Sequence, residues 1–322
     1  MRRSRLLVVG LVAVAIVAGS ALVARWADDE PWPDAPDSAS HDPVPGVRIA
    51  VAGDIACEPS HASFDEGLGN GSACMQAATS DLVVGKRYAA VLVLGDIQYE
   101  DGEEEAFLRS YDPTWGRVKM VTHPVPGNHE YHTSGATGYF RYFGAAAGDP
   151  AKGYYSFDVG AWHVIALNSN CSHVGGCRTG SPQERWLRRD LAANPAACTL
   201  AFWHHPRFSS GWHGGSSSYE AFWQDLFEAD ADVVLVGHDH DYERFAPIGA
   251  TGEVDLERGI REFVVGTGGR GLRGFSHPQP NSEAHDDSTF GILELTLGRG
   301  AYAWRFRPAA GSFTDGGSSR CH

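Results

Sequence analysis

Cations are scarce in this sequence: Lys and Arg number 26 against 40 for Asp and Glu, a formal net charge of −14. Binding to a phosphate backbone needs clustered cations, so stable association with nucleic acid is not expected. Cysteine is also sparse. The six residues, at 57, 74, 171, 177, 198 and 321, form neither a C-x-x-C pair nor a zinc-finger spacing, which removes the common structural zinc modules. No internal repeat is present, which removes solenoids and propellers. What remains, 43% hydrophobic residues over a chain of 322, supports a sizeable core in one large domain or two small ones.

The N-terminus reads as an address. Met1-Arg2-Arg3-Ser4-Arg5 is basic, and Leu6 to Ala24 carries no charge, the layout of an export signal. The run is also close to membrane-spanning length, and Arg25 and Trp26 interrupt a small-residue cleavage pattern. A cleaved signal over residues 1–26 and a membrane anchor through residues 6–24 both fit, and both place the protein in the cell envelope or outside the cell. Residues 27–46, rich in Pro and Asp, read as a solvated linker, which leaves 47–322 as the folded part. An even cysteine count in an exported chain points to disulfides. Fifteen pairings are open; Cys57–Cys74 and Cys171–Cys177 are the expected local ones, leaving Cys198–Cys321 to pin the C-terminus.

Short apolar runs at Val47 to Ala52, Ala89 to Leu94, Met120 to Val125, Thr199 to Trp203 and Asp232 to Val236 have strand length and are bounded by Gly or Pro. Helices are predicted over Gln76 to Tyr88, Glu103 to Tyr111 and Ser218 to Ala229. A further one opens at the capping box Ser181-Pro182-Gln183-Glu184 and runs to about Ala193. Alternating strands and helices argue for an α/β domain. Beyond Arg261 the chain becomes β-rich, with a hairpin expected around Gly298-Arg299-Gly300.

Each apolar run ends in a metal-binding residue type. The endings are Gly53-Asp54, Gly95-Asp96-Ile97-Gln98-Tyr99, Gly127-Asn128-His129-Glu130, His204-His205 and Gly237-His238-Asp239-His240. In open α/β sheets the carboxyl ends of strands line the ligand crevice, so these side chains are placed to converge. Carboxylate, amide, phenol and imidazole together suit hard or borderline cations.

In their order and spacing these motifs resemble those of the purple acid phosphatases, a subgroup of the calcineurin-like metallophosphoesterases. The resemblance runs from about Val47 to Arg244 and implies a four-layer α/β/β/α sandwich that hydrolyses small phosphate esters at two metal ions. It assigns Asp54, Tyr99 and His240 to a first metal, typically Fe(III), with Asp96 bridging. Asn128, His204 and His238 then hold a second, divalent ion (Zn, Mn or Fe). His129 falls beside the leaving-group oxygen as proton donor or hydrogen-bond partner, and His205 and His213 are candidates for gripping phosphate or assisting protonation. Position 56 is Ala, not the His of the wider superfamily's D-x-H, and Tyr99 supplies the missing ligand. Direct attack by a metal-held hydroxide on phosphate monoesters is the expected reaction. A phosphodiesterase on the same site and a non-catalytic, metal-retaining envelope protein are the rival readings. One competing motif is dismissed: Gly266-Thr267-Gly268-Gly269-Arg270-Gly271 fits G-x-G-x-x-G, but Pro278 and Pro280 preclude the helix a dinucleotide site requires. His163, inside the apolar run Trp162 to Leu167, reads as structural.

Overall fold

A computed structural model describes residues 44–322. The export or anchor segment and all but the last residues of the 27–46 linker lie outside the described residues. Among the described residues no helix is long and apolar enough to cross a membrane.

Strands β1 (Gly46–Ala52), β2 (Ala90–Val93) and β3 (Thr122–Pro124) open one sheet. A second is built from β4 (Tyr155–Val159), β5 (Trp162–Ala166), β6 (Thr199–Phe202), β7 (Val233–Val236), β8 (Tyr242–Phe245), β9 (Arg261–Val265) and β10 (Ser282–Asp286). The chain then returns to the first sheet through β11 (Gly291–Gly298), β12 (Ala301–Pro308) and β13 (Gly316–Arg320). The six-stranded sheet has the order β13-β12-β11-β1-β2-β3, and the seven-stranded sheet β10-β8-β9-β7-β6-β5-β4. β1, β2 and β3 are mutually parallel, as are β5, β6, β7 and β9.

Side chains alternate across a strand, so each sheet has two faces to cover. Ile49, Val51 and Leu92 of the first sheet pack against Val164, Leu200 and Leu235 of the second in a shared central core. The opposite face of the first sheet, with Ala50, Val91 and Val93, is covered by Phe107, Trp115 and Tyr139. That of the second, with Ile165, Ala201 and Val234, lies under Leu187, Phe222 and Leu226. The covering helices are α1 (Gln76–Asp81), α2 (Glu104–Ala106) and α3 (Thr137–Phe143) on one side, and α4 (Pro182–Ala193) and α5 (Glu220–Glu228) on the other. The result is the α/β/β/α sandwich.

Several boundaries differ from the sequence expectation. The helix from Gln76 stops at Asp81, because a turn follows with Gly85 at φ 75°. The 103–111 segment is one α turn continued by a π-helical turn, Phe107–Tyr111. β3 is only three residues long, preceded by a 3-10 helix, Trp115–Val121, that leaves Met120 96% exposed. The Ser218 helix begins as a 3-10 turn at Ser217–Tyr219. At α4 the Ser181 hydroxyl caps the Glu184 N–H, but the Glu184 carboxylate accepts from Gly180 N at 2.9 Å, one residue earlier than the box predicts. All three expected disulfides, Cys57–Cys74, Cys171–Cys177 and Cys198–Cys321, are present.

Candidate metal centre

The parallel strands of both sheets end at one rim. Beyond β1 the backbone of Asp54 turns left-handed, φ 59°, and Asp96 beyond β2 and His238 beyond β7 do the same at φ 45° and 71°. Each such conformation in a non-glycine residue costs on the order of 1–3 kcal/mol and persists only where the surroundings impose it. Gly95, at φ 87°, precedes one of these turns, and a Cβ there would lie 2.7 Å from the His204 ring. At Gly127 a Cβ would overlap the Asp96 carboxylate. The glycines therefore allow the strand ends to close on the same few side chains.

Asp54, Asp96, Tyr99, His204 and His240 are all at most 3% exposed. Single ligand atoms of Asp54, Asp96 and His204 lie within 4.8 Å of one another, as do those of His204, His205 and His238. The Tyr99 hydroxyl sits 2.9 Å from Asp54 Oδ1, 3.2 Å from Asp96 Oδ2 and 3.0 Å from His240 Nε2. One phenolic proton cannot serve three acceptors. His240 directs Nδ1 at the Gly271 carbonyl, 2.7 Å away, and His204 directs Nδ1 at the Leu94 carbonyl at 2.8 Å. In its neutral form each ring thereby spends its N–H outward and turns the lone pair of Nε2 inward. His204 Nε2 faces Asp96 Oδ2 at 3.3 Å and His238 Nδ1 at 3.2 Å. Asn128 Oδ1 is buried with no hydrogen-bond partner. Among the described residues neither Asp54 nor Asp96 pairs with a Lys or Arg. Acceptors facing acceptors form a cradle that fits cations, and the orphaned amide oxygen belongs to the turn whose flanking residues, Gly127 and His129, meet the Asp96 carboxylate.

Without cations, the electrostatics of the cradle are lopsided. Burial alone would raise the Asp96 carboxyl, but His204, His129 and His238 hold it well below the usual range. Burial, Asp54 and Asp96 together push the Tyr99 phenol well above its ordinary value. His204 is raised to about 9, Asp96 outweighing the burial penalty. His238 is lowered by burial and by His204, and His205, for the same two reasons, to about 3.

His129 reaches this group from the far side of Asp96. Its backbone N–H donates to Asp96 Oδ1 at 2.9 Å, its Nδ1 contacts the Glu100 carbonyl at 2.5 Å, and its Nε2 lies 3.8 Å from Asp96 Oδ2. His205 stays near, with Nδ1 on the Ser169 hydroxyl at 2.8 Å and its ring 4.4 Å from that of His238. His213 stacks on His238 at 4.2 Å and contacts Asp239 Oδ1 through Nδ1 at 3.0 Å. The glycine-rich Gly266–Gly271 loop lies against the same group: Gly268 N bonds Gly53 O, and Arg270 N bonds Asp54 O.

Sequence reasoning missed the supports. Glu130 is fully buried and accepts from the backbone N–H groups of Ile97, Gln98 and Gly127, tying the turn after β2 to that after β3. Burial and Asp96 raise its carboxyl to about 7. Its adjacency to His129 in the motif was the available signal. The Glu100 carbonyl, being backbone, left none.

This sandwich, with a histidine–carboxylate cradle at the carboxyl ends of its parallel strands, is that of a phosphoesterase. The chain belongs to the calcineurin-like phosphoesterase family, whose model matches residues 47–242. It is 31% identical to purple acid phosphatase 22 of Arabidopsis thaliana over 70% of this chain and 56% of that one. Purple acid phosphatase 23 of the same plant is 28% identical over 61% of this chain and 47% of its own length. Two other Arabidopsis relatives are named probable inactive purple acid phosphatases. The chain spans about half the length of the plant relatives it matches. The purple acid phosphatase PPD1 of yellow lupin superposes with a TM-score of 0.69 at 18% identity, covering 84% of this chain and 53% of that one.

Proposed function

We propose that the protein hydrolyses phosphate monoesters at a dinuclear metal centre. In this reading Asp54, Tyr99 and His240 hold one metal, Asn128, His204 and His238 hold the other, and Asp96 bridges. Two cations bound there supply an acidified water as nucleophile and charge neutralisation for the phosphate oxygens. The observation that carries the reading is the arrangement of inward lone pairs on His204 and His240, together with the unpartnered Asn128 oxygen.

The chain's own groups do the rest. Asp54 and Asp96 bring the negative charge that holds cations in a buried site, and the outward N–H bonds of His204 and His240 fix which nitrogen faces them. The Glu100 carbonyl accepts a hydrogen bond from His129 Nδ1–H, so Nε2 can donate toward a leaving-group oxygen only when the ring is protonated. Ferric iron is the fitting choice for the Tyr99 side, since burial and two carboxylates oppose loss of the phenolic proton and a strongly acidic cation offsets them. Small phosphate esters are the substrates, and export to the envelope or exterior suits a protein with three disulfides.

A non-catalytic, metal-retaining role is the second reading, favoured by the names of the two inactive relatives; the intact His129 speaks against it. Elemental analysis tests the proposal. Wild type is expected to retain two metal equivalents per chain, Asn128→Ala about one, and Tyr99→Phe is expected to lose any visible iron–phenolate absorption. Less than one equivalent in fully loaded wild type contradicts it.

A further inference from the structure

The glycine-rich loop after β9 and the residues that follow it place two arginines, Arg270 and Arg273, at the rim of the cradle. Arg270 is neutralised: its guanidinium donates to Glu100 Oε1 at 2.6 Å and lies over the Tyr99 ring at 5.1 Å. Arg273 is not. Among the described residues no carboxylate lies within ion-pair distance of it, and its side-chain contact is with an imidazole, His213 Nε2, at 3.0 Å.

That contact has a fixed orientation. Asp239 is fully buried, held by the Ser209 hydroxyl, and takes both the backbone N–H of His213 at 2.7 Å and the ring at Nδ1, 3.0 Å away. With Nδ1–H spent on Asp239, Nε2 is the acceptor for Arg273. The His213 ring stacks 4.2 Å from that of His238, and the backbone N–H of Arg273 bonds the His240 carbonyl at 3.0 Å. A buried carboxylate thus orients an imidazole, which orients a guanidinium one ring away from the cradle. The guanidinium retains its charge and further donors for an anion.

We propose that Arg273 is a specificity-determining residue that binds a second anionic group on the substrate, with His213 and Asp239 as its positioning residues. The inference rests on the phosphoesterase reading. The substrate class it selects is a phosphate ester or anhydride whose leaving group carries another phosphate or a carboxylate. In a molecule of net charge −14, an uncompensated arginine at the site's rim gives such a substrate a local anchor.

Calorimetric titration of the full, metal-loaded protein with inorganic phosphate and with pyrophosphate tests this. Wild type is expected to bind pyrophosphate about tenfold more tightly than phosphate, as one charge-assisted contact allows. Arg273→Gln is expected to abolish that preference and Arg273→Lys to restore part of it. In turnover, Arg273→Gln lowers kcat/KM more for a phosphorylated carboxylic acid than for a monoester with a neutral leaving group. An equal preference in wild type and Arg273→Gln overturns the inference and leaves the phosphoesterase reading standing. Wild type that binds neither anion and turns over no ester overturns both.

Discussion

A buried carboxylate that faces imidazole lone pairs and a phenol is unstable company unless something positive sits among them. Asp96 is in that position, and the same contacts that crowd it also place His129, whose backbone N–H it accepts and whose side chain the Glu100 carbonyl orients. His129 therefore has Nδ1 committed to that carbonyl, while Nε2 lies 3.8 Å from Asp96 Oδ2. Replacing it with Gln removes the proposed proton donor while every proposed metal ligand is kept. His129→Gln is expected to lower kcat by about 100-fold or more with the metal content unchanged, as read by steady-state kinetics beside elemental analysis. A matching loss of metal would make the residue structural.

At the scale of elements, β4, β5 and α4 are joined by a single ring. His163 contacts Asp158 through Nδ1 at 3.0 Å and Asp190 through Nε2 at 2.8 Å. Burial disfavours the charged ring, but Asp190 and Asp158 prevail and raise its pKa. The folded state then holds the proton more tightly than the unfolded chain. The stabilisation is complete below the ordinary imidazole value of about 6.5 and is lost as pH rises through the raised one. Relative to wild type, His163→Gln is expected to lose about 1 kcal/mol at pH 5.5, with a smaller gap at pH 8.5. Urea unfolding at both values checks it, and an equal gap would remove the charge from the account.

The elements also show where the sequence was legible. The buried parallel strands announced themselves because both their faces are covered, which leaves continuous apolar runs such as Val233–Val236. The metal-binding residue types stood directly at their ends. β13, by contrast, reads Gly-Gly-Ser-Ser-Arg and exists through its pairing with β12. β8 carries Glu243 and Arg244 inward because their partners, Ser210 N and Asp315, come from distant loops. The Asp239–His213–Arg273 relay was hidden for the same reason. Its members are 26 and 60 residues apart, and no local pattern couples them.

At the largest scale, the described residues form two sheets that share a core and are pinned at the end away from the cradle. Cys198 precedes β6, whose other end leads to His204, and Cys321 follows β13 in the opposite sheet. This bond spans 123 residues of sequence, and losing it is expected to cost about 2–5 kcal/mol. Cys321→Ser should lower the thermal midpoint while leaving kcat intact at temperatures where the protein stays folded. A fall in kcat there would mean that the tail reaches the site.

The central claim is that this cradle hydrolyses phosphate monoesters with metals bound. Its most direct test is the turnover of a chromogenic phosphate monoester and its matching diester by metal-loaded protein between pH 4 and 9, with Asp96→Asn as control. Faster monoester cleavage with an acidic optimum, lost in Asp96→Asn, is the expected result. Faster diester cleavage would transfer the site to a phosphodiesterase, and no cleavage of either by protein with both metals bound would contradict the claim.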